Sequence, residues 1–478
     1  MACASGTVAT ATAIGAGAGL ASRCARRTRS LRLRLRLRLR LRLRLGVGVG
    51  VGVRAAGSTP GSGAYEFATV PRIVFGQGEA SPAKAAALAA GLRRPGDSSG
   101  PAVVFASGSA SALGRAIAAE LEAAHATPCV LVPVARGEPT VASVEACVAL
   151  CPLDAAVCVA IGGGAAIDTA KAVAAVVAHR DASSGRVPDV LDFLEVVGRG
   201  VPLTLPSVPL LAIPTTAGPG AEVTRNAVLD AGGQKVSLRS ALMLPRVALV
   251  DPLLTLSLPR AATAHTGLDA LTQCIEPYVS CAANPVASGL ALEGVRQGAR
   301  GIRAAFAAAS GALGPPDAPD AVAARDAMCQ CSLLGGLALA NAKLGAVHGF
   351  AGVLGGALGA PHGAVCAALL PHVCRANVAA LRAQAAGAAG DADAERFLQR
   401  YQDLAAIVTG DPAARPEQLA GWCDALVVEL GVPGLASFGL ARAAIPDLAR
   451  ASGSTSSMKG NPVAFAQAQL EAILVAAL

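Results

Sequence analysis

Aromatic side chains are scarce: one Trp, three Tyr and nine Phe make up 3% of 478 residues. Cores must therefore be built on Ala, Leu and Val. Charge is sparse too, at 15% of the chain, and unevenly placed. Residues 1–65 hold twelve Arg but no Lys, Asp or Glu; taking those twelve from the formal charge of +8 leaves −4 for the rest. The remainder is mildly acidic, so no basic footprint exists for a phosphate backbone, and a nucleic-acid partner is excluded. Thirteen Cys contain no CxxC pair and no framework spacing. Cys329 and Cys331 stand too close for an unstrained bridge, and Cys274, Cys366 and Cys374 lie in apolar runs, which reads as buried reduced thiols in an intracellular compartment. No segment gives some twenty apolar residues free of helix-start and turn signals, so no membrane span is expected. The GxGxxG signature of a dinucleotide fold is missing as well.

Residues 1–64 cannot pattern a core. Ala, Gly, Ser and Thr give way to Leu-Arg alternation from Leu31 to Leu45 and then to Gly-Val alternation up to Val53. An arginine at every second position forbids burial in hydrocarbon. An Arg-rich, acid-free, hydroxyl-bearing leader reads as an organelle transit peptide, its Arg density fitting a mitochondrion and its Ala and Ser opening a plastid. The competing reading is a repeat-expanded tail with no destination.

From residue 65 the pattern changes. Short β-rich runs at Arg72–Phe75, Ala102–Ala106, Val130–Pro133, Ala156–Ile161, Leu210–Ile213 and Val247–Val250 alternate with helical stretches at Pro82–Leu92, Leu113–His125, Ser143–Leu150 and Ala166–His179. Such βα repetition predicts a parallel sheet covered by helices on both faces. After Pro259 the strand signals stop and helical periodicity runs to the end. The expectation is an α/β + all-α chain: an α/β domain over 65–257, a helical domain over 258–478, and a ligand cleft between them.

Two loops at strand ends are candidates for a phosphate-bearing ligand. Gly162-Gly163-Gly164 joins a strand to a helix carrying Asp168 and Lys171; without Cβ atoms the backbone can approach a diphosphate, and the helix-start amides point at it. A tight structural turn would also use Gly. Pro214-Thr215-Thr216-Ala217-Gly218 follows another strand, and its hydroxyls could close the other side of the ligand, or serve only as a Thr-rich turn.

The helical half carries the other chemistry. Asp269 and Gln273, four apart, share one helical face, and His348 and His362 are fourteen apart across a Gly-rich stretch that can bend back. Carboxylate oxygen plus imidazole nitrogen suits iron(II) or zinc(II), with thiolate absent from the set and a pure oxygen cage not offered. Gln273 is the exception, a neutral amide where an anionic or nitrogen ligand is expected. Of six histidines, His125 and His179 sit at helix C-terminal ends, where the dipole explains them, and His372 follows an apolar run as a structural residue. His265, four before Asp269, is a candidate proton relay, or the source of the nitrogen missing at Gln273.

Together these segments resemble the iron-containing (group III) alcohol dehydrogenase family. The resemblance covers about residues 65–478 and rests on motifs in fixed order: Phe75-Gly76-Gln77-Gly78, Gly162-Gly163-Gly164, Pro214-Thr215-Thr216-Ala217-Gly218, Asp251-Pro252, Thr266-Gly267-Leu268-Asp269-Ala270-Leu271, His348 and Pro361-His362-Gly363. It implies a dehydroquinate synthase-like fold with an N-terminal nucleotide-binding domain and a C-terminal helical metal domain. It further implies NAD or NADP held by Gly162, Gly163, Gly164, Asp168, Thr215 and Thr216, with Lys235 near the ribose. The metal, iron(II) or zinc(II), would be held by Asp269, His348 and His362, with Gln273 at the position usually taken by His. Departures are Gly352, where many members have a second His, Pro219 and Ala221 in the cofactor loop, and Gly108, where NAD-preferring members often carry Asp. The implied activity is reversible hydride transfer between a primary alcohol or hydroxyacid and its aldehyde or oxoacid, in a homodimer. Competing readings are a metal-independent reductase of the maleylacetate reductase type, a hydroxyacid-oxoacid transhydrogenase, and a non-catalytic nucleotide-binding relative.

Overall fold

In the computed structural model of the chain, residues 64–93, 100–181, 183–387 and 391–478 are described. The leader assigned above to residues 1–64 lies outside them except for Ala64. Eight strands are described: β1 Arg72–Phe75, β2 Ala102–Ser107, β3 Cys129–Val134, β4 Val157–Gly162, β5 Leu210–Pro214, β6 Asn226–Asp230, β7 Lys235–Arg239 and β8 Val247–Val250. Six of them form one sheet in the order β1-β8-β5-β4-β2-β3, every pairing parallel. Helices α1 Pro82–Ala90, α2 Ser111–His125, α3 Val141–Leu150, α4 Gly164–Ala178 and the short α5 Val190–Phe193 fall between the strands.

Strand β4 lies in the middle. Its Val159 pairs with Val104 on one side and Leu211 on the other, and all six of its residues are buried. Alternate residues of β2 feed opposite layers, as a period of two demands. Val103 and Phe105 pack with Ala170 and Val173 of α4. Val104 packs with Ile117 and Leu121 of α2.

The chain leaves β2 for β3 on one side, then returns for β4 on the other. The C-terminal ends of β2 and β4 therefore flank the point where the winding reverses, the crevice in which open parallel sheets hold ligands. Gly108, the Gly162-Gly163-Gly164 turn and Thr215-Thr216 all follow strands on this edge.

Sequence periodicity did not reveal the β6–β7 hairpin. Its two period-two segments are joined through Gly232 and Gly233, both at positive φ (+69° and +87°), the geometry a tight hairpin turn requires. Lys171, fully buried in α4, ties this hairpin down. Its ammonium donates to Thr224 Oγ1 (2.8 Å), the Asn226 carbonyl (3.0 Å) and Asp168 Oδ1 (3.4 Å), while Asp168 Oδ2 accepts from the Val228 amide at 3.0 Å.

From residue 260 the described elements are helical: α6 Arg260–Val279, α7 Pro285–Ala308, α8 Pro319–Asn341, α9 Ala346–Leu358, α10 His362–Ala385, α11 Ala392–Thr409, α12 Glu417–Glu429, α13 Ile445–Gly453 and α14 Gln467–Ala476. The stretch between His348 and His362 is helical as far as Leu358, and the chain bends back at Gly359, φ +59°, into α10. Four glycines in α9 weaken its intrinsic propensity, but they let it dock closely: a Cβ at Gly356 would lie 2.0 Å from the Gly233 carbonyl of the hairpin. Helix α10 is long and apolar enough to cross a membrane by length and composition alone, but 72% of that window is buried inside the protein, as in a core helix.

The loop after β5 is pressed against the helical half. Gly220, at φ +59°, meets Gly336 of α8 backbone to backbone, and a Cβ at Gly336 would lie 2.6 Å from the Gly220 carbonyl. Gly289 of α7, exposed, has no atom within 4 Å of such a Cβ. Gly336→Ala should therefore lower stability by about 1–3 kcal/mol, whereas Gly289→Ala should raise it by up to about 1 kcal/mol through helix propensity. Urea midpoints with unchanged slopes would read both. A neutral Gly336→Ala would mean that the loop does not press on α8.

Candidate metal and cofactor site

Helix α6 is buried on nearly every side from Gly267 to Val279, yet it carries Asp269, Gln273 and Glu276 at 4%, 3% and 4% exposure. Spacings of four and three put these side chains on one stripe. A buried carboxylate costs several kcal/mol unless it is compensated, so each needs a partner.

Glu276 finds its partners in the first turn of α9. Its Oε1 accepts from the Val347 amide at 2.7 Å and its Oε2 meets His348 Nδ1 at 2.6 Å. Gly345 permits this approach, because a Cβ there would sit 2.9 Å from Glu276 Oε1. With Nδ1–H donated to the carboxylate, the lone pair of His348 is on Nε2, the arrangement that second-layer carboxylates impose on metal-binding histidines.

His348 Nε2 then lies 3.4 Å from Asp269 Oδ1, and His362 Nε2 lies 3.8 Å from the same oxygen. The imidazole centroids are 5.5 Å apart. His362 opens α10, whose first turn rests on the backbone of α6: a Cβ at Gly363 would fall 2.2 Å from the His265 carbonyl. One turn along α10, Cys366 Sγ comes to 3.7 Å from His362 Nε2. Donor atoms of Asp269, His348, His362 and Cys366 all lie within 4.8 Å of one another.

The arrangement fits a divalent cation. Asp269 Oδ1, His348 Nε2 and Gln273 Oε1 are buried polar atoms with no hydrogen-bond partner, and such orphans are rare unless an ion or water satisfies them. The charge balance agrees. Burial works to raise the Asp269 carboxyl pKa, but the neighbouring His348 and His362 imidazoles and the Gln273 amide outweigh it and bring it below the ordinary value. Burial likewise opposes the lowering of the Cys366 thiol, which the imidazoles of His362 and His348 impose. Both imidazoles in turn are pulled toward the protonated form against their own burial. The cluster demands positive charge at its centre.

The absence of thiolate expected from the sequence is therefore corrected. Cys366 is not one more thiol in an apolar run, and the His362-x-x-x-Cys366 spacing becomes meaningful once His362 is known to start a helix. Glu276 was also missed, although it extends the Asp269–Gln273 stripe by three, seven residues after Asp269. His265 does not supply the missing nitrogen, since it is not among the four clustered donors. Its half-buried side chain makes no hydrogen bond or ion pair among the described residues, and burial holds its imidazole below the ordinary range. His125 ends α2, and His179 does more than face a helix dipole: its Nδ1 donates to the Ala175 carbonyl at 2.8 Å and its Nε2 accepts from Thr204 and Leu205 amides. His372 lies on α10 with Nδ1 3.3 Å from Arg375 Nη1.

On the sheet edge, Gly163 caps α4 without a side-chain partner, so the first amides of that helix face the crevice. The glycines themselves answer first to packing. A Cβ at Gly162 would strike Ser107 Oγ (2.6 Å), one at Gly163 would crowd Thr216 (3.2 Å), and one at Gly164 would strike Pro219 (2.7 Å). The Thr215 amide donates to the Gly162 carbonyl at 2.9 Å, so the two loops form one wall. Asp168 faces the hairpin, both oxygens engaged as described above. Lys235 bonds Glu138 Oε1 at 2.8 Å, lies against Gly355 of α9, and its charge reaches His362. The Pro214-Thr215-Thr216-Ala217-Gly218 loop touches α6 directly, because a Cβ at Gly218 would fall 2.8 Å from Thr266 Cβ, three residues before Asp269.

A separate hollow of about 290 Å³, lined by His179, Asp181, Arg186, Asp189, Asp192 and Arg199, lies at the opposite end of α4 and takes no part in this arrangement.

Comparison with known proteins fits the geometry. The iron-containing alcohol dehydrogenase model matches residues 71–252, and the model for the C-terminal part of the Fe-containing alcohol dehydrogenase family matches residues 263–478. The 1,3-propanediol dehydrogenase of Klebsiella pneumoniae is 40% identical over 224 residues, 46% of this chain and 52% of that protein; the chain thus spans about half the length of that relative. "Probable alcohol dehydrogenase EutG" of Salmonella typhimurium is 32% identical over 316 residues, 62% of this chain and 73% of that protein. The crystal structure of sulfoacetaldehyde reductase from Bifidobacterium kashiwanohense in complex with NAD+ aligns with a TM-score of 0.67 at 26% identity, covering 87% of this chain and 98% of that one. With two family models matched in order along the chain and nearly three quarters of the EutG protein covered, the chain belongs to the iron-containing alcohol dehydrogenase family.

Proposed function

We propose that this protein is an NAD(P)-dependent oxidoreductase that interconverts a primary alcohol or hydroxyacid with its aldehyde or oxoacid, assisted by a divalent metal. One observation carries the reading: buried, unpartnered donor atoms of Asp269 and His348 converge with His362, and Glu276 stands behind His348 to fix its tautomer. Bound there, a divalent cation supplies Lewis acidity to a carbonyl oxygen and a nicotinamide supplies or accepts the hydride. The chain's share is positioning. Helix-start amides at Gly163 and Gly164 offer donors to a diphosphate, Thr215 and Thr216 close the opposite wall, and Lys235 reaches from the hairpin toward the ribose side. Asp168 acts at one remove by bracing α4 against β6. The Arg-rich leader supports import into a mitochondrion or plastid.

The decisive measurement is metal content of the purified protein together with NADH and NADPH oxidation against a panel of short aldehydes and oxoacids. We expect turnover that needs the metal and is lost with it in Asp269→Ala. Turnover without metal would support the metal-independent reductase instead. Nucleotide binding with no turnover of any panel member would sink the enzymatic reading.

For the cofactor, the geometry favours NADP. Gly108 follows β2, and a Cβ there would meet the Arg136 guanidinium at 3.5–3.9 Å. A carboxylate that would repel a 2′-phosphate is missing at this strand end, and a guanidinium that would pair with one stands beside it. Arg136→Ala should lower kcat/KM for NADPH about 10- to 100-fold, the worth of one charge-assisted hydrogen bond, and leave that for NADH nearly unchanged. An equal loss with both cofactors would show that Arg136 does not read the 2′-phosphate.

His265, held neutral at pH 7 by its burial, can accept a proton. As a relay, His265→Ala should cut kcat by about 100-fold or more with metal content intact. Unchanged turnover would remove it from the mechanism.

A further inference from the structure

Gln273 stands where the family usually has a histidine ligand, so the strong donors given by the sequence number three. The fold brings a fourth. Cys366 lies four residues after His362 on α10, and i, i+4 spacing turns both side chains to one side of the helix, as in helical metal sites built from paired ligands. Among the described buried cysteines its surroundings differ. Cys274 faces Cys331 at 3.9 Å, and Cys374 faces Cys423. Cys366 instead faces three nitrogen and oxygen donors whose other contacts are absent or directed away from it.

Distances support the same conclusion. Donors held tetrahedrally at about 2.0 Å for nitrogen and oxygen and about 2.3 Å for sulfur stand about 3.3–3.6 Å from one another. The separations in the structure are 3.4 Å (His348 to Asp269), 3.8 Å (His362 to Asp269) and 3.7 Å (His362 to Cys366). A simple thiol hydrogen bond to His362 would occupy Nε2, the nitrogen that the cluster turns inward, and would leave Asp269 Oδ1 and His348 Nε2 without partners.

We propose that Cys366 is a thiolate ligand of the metal, supplying the fourth strong donor in place of the neutral Gln273 amide, and that the resulting donor set binds zinc(II) in preference to iron(II). The inference rests on the metal site proposed above and deepens it. As the sulfur–metal bond forms, the thiol proton is released to solvent. Sulfur with two imidazoles and one carboxylate is a softer set than one carboxylate with three imidazoles, and softness selects zinc over iron(II). Thiolate is no bar to catalysis, since catalytic zinc in other alcohol dehydrogenases carries it. Gln273 keeps a supporting part, its amide helping to hold the Asp269 charge.

The test uses full-length protein loaded with cobalt(II) in place of the native ion. Wild type and Gln273→Ala should show a near-ultraviolet sulfur-to-cobalt charge-transfer band beside the visible d–d bands. Cys366→Ser should lose the first and keep the second. X-ray absorption on zinc-loaded wild type gives a reading that needs no variant: one sulfur scatterer at about 2.3 Å. Competition with a chelator should show zinc affinity falling in Cys366→Ser by more than the roughly 10- to 100-fold that loss of a second-layer partner causes, with a smaller fall for iron(II). Visible bands without the charge-transfer band in wild type, a nitrogen and oxygen shell alone, or a band that survives in Cys366→Ser would each overturn the assignment while leaving the metal site standing. Equal losses for zinc and iron(II) would overturn the metal preference. Failure of wild type to bind either ion would overturn the metal site as well.

Discussion

The burial of Asp269, Gln273 and Glu276 along one face of α6 is the constraint from which the site follows. A helix enclosed on nearly every side cannot hold two carboxylates without compensation, and the remedies differ. Glu276 is satisfied within the chain by one amide and one imidazole, which makes it structural and orienting at once. Asp269 is only half satisfied, because its neighbours are themselves acceptors or are held by other groups. That asymmetry separates a buried ion pair, which the fold could complete alone, from a site that waits for something with positive charge. It also explains why α9 begins where it does: Gly345 is small enough to let the first turn descend onto Glu276, and His348 is carried into place by the same contact.

Composition makes such approaches feasible. A chain poor in aromatics builds its layers from Ala, Val and Leu, and where elements must come closer still it uses Gly: Gly336 against Gly220, Gly356 against Gly233, Gly363 against the His265 carbonyl. Each contact is one that a methyl group would break. The glycines of the Gly162-Gly163-Gly164 turn belong to this set as well, since Ser107, Thr216 and Pro219 occupy the space their side chains would need. The turn is shaped by its packing, and the open amides at the start of α4 are a product of that shape.

Much of this was legible beforehand, and what was not has identifiable causes. The βα alternation from Arg72 to Val250 carried the parallel sheet because both periodicities were strong and the breaks were sharp. Asp269, His348 and His362 were legible because their residue types are uncommon in apolar helices and because they fall in motifs of fixed order. Cys366 was hidden by its own ordinariness: cysteine in an Ala-Leu run packs like any small apolar residue, and only the start of α10 at His362 gives the four-residue spacing its meaning. Helix α9 was hidden by its glycines, since tertiary docking overrides a poor propensity that sequence alone registers as a loop. The β6–β7 hairpin was missed although its Gly232-Gly233 turn is a recognisable signal. Arg136 had none, being an exposed residue in a loop that only the fold brings beside Gly108.

Several of the contacts that join the α/β half to the helical half involve segments that flank the proposed cofactor. Gly218 meets Thr266 one turn before Asp269, Gly220 meets Gly336, and Lys235 runs between Glu138 and Gly355 with its charge felt at His362. A dinucleotide seated at the reversal point between β2 and β4 would lie against the first two of these loops, and so against the backbone that sets the position of α6. Interiors packed this closely transmit small displacements instead of absorbing them. The wall proposed to receive a diphosphate and the helix that presents Asp269 are therefore packed against each other through close contacts made at glycines.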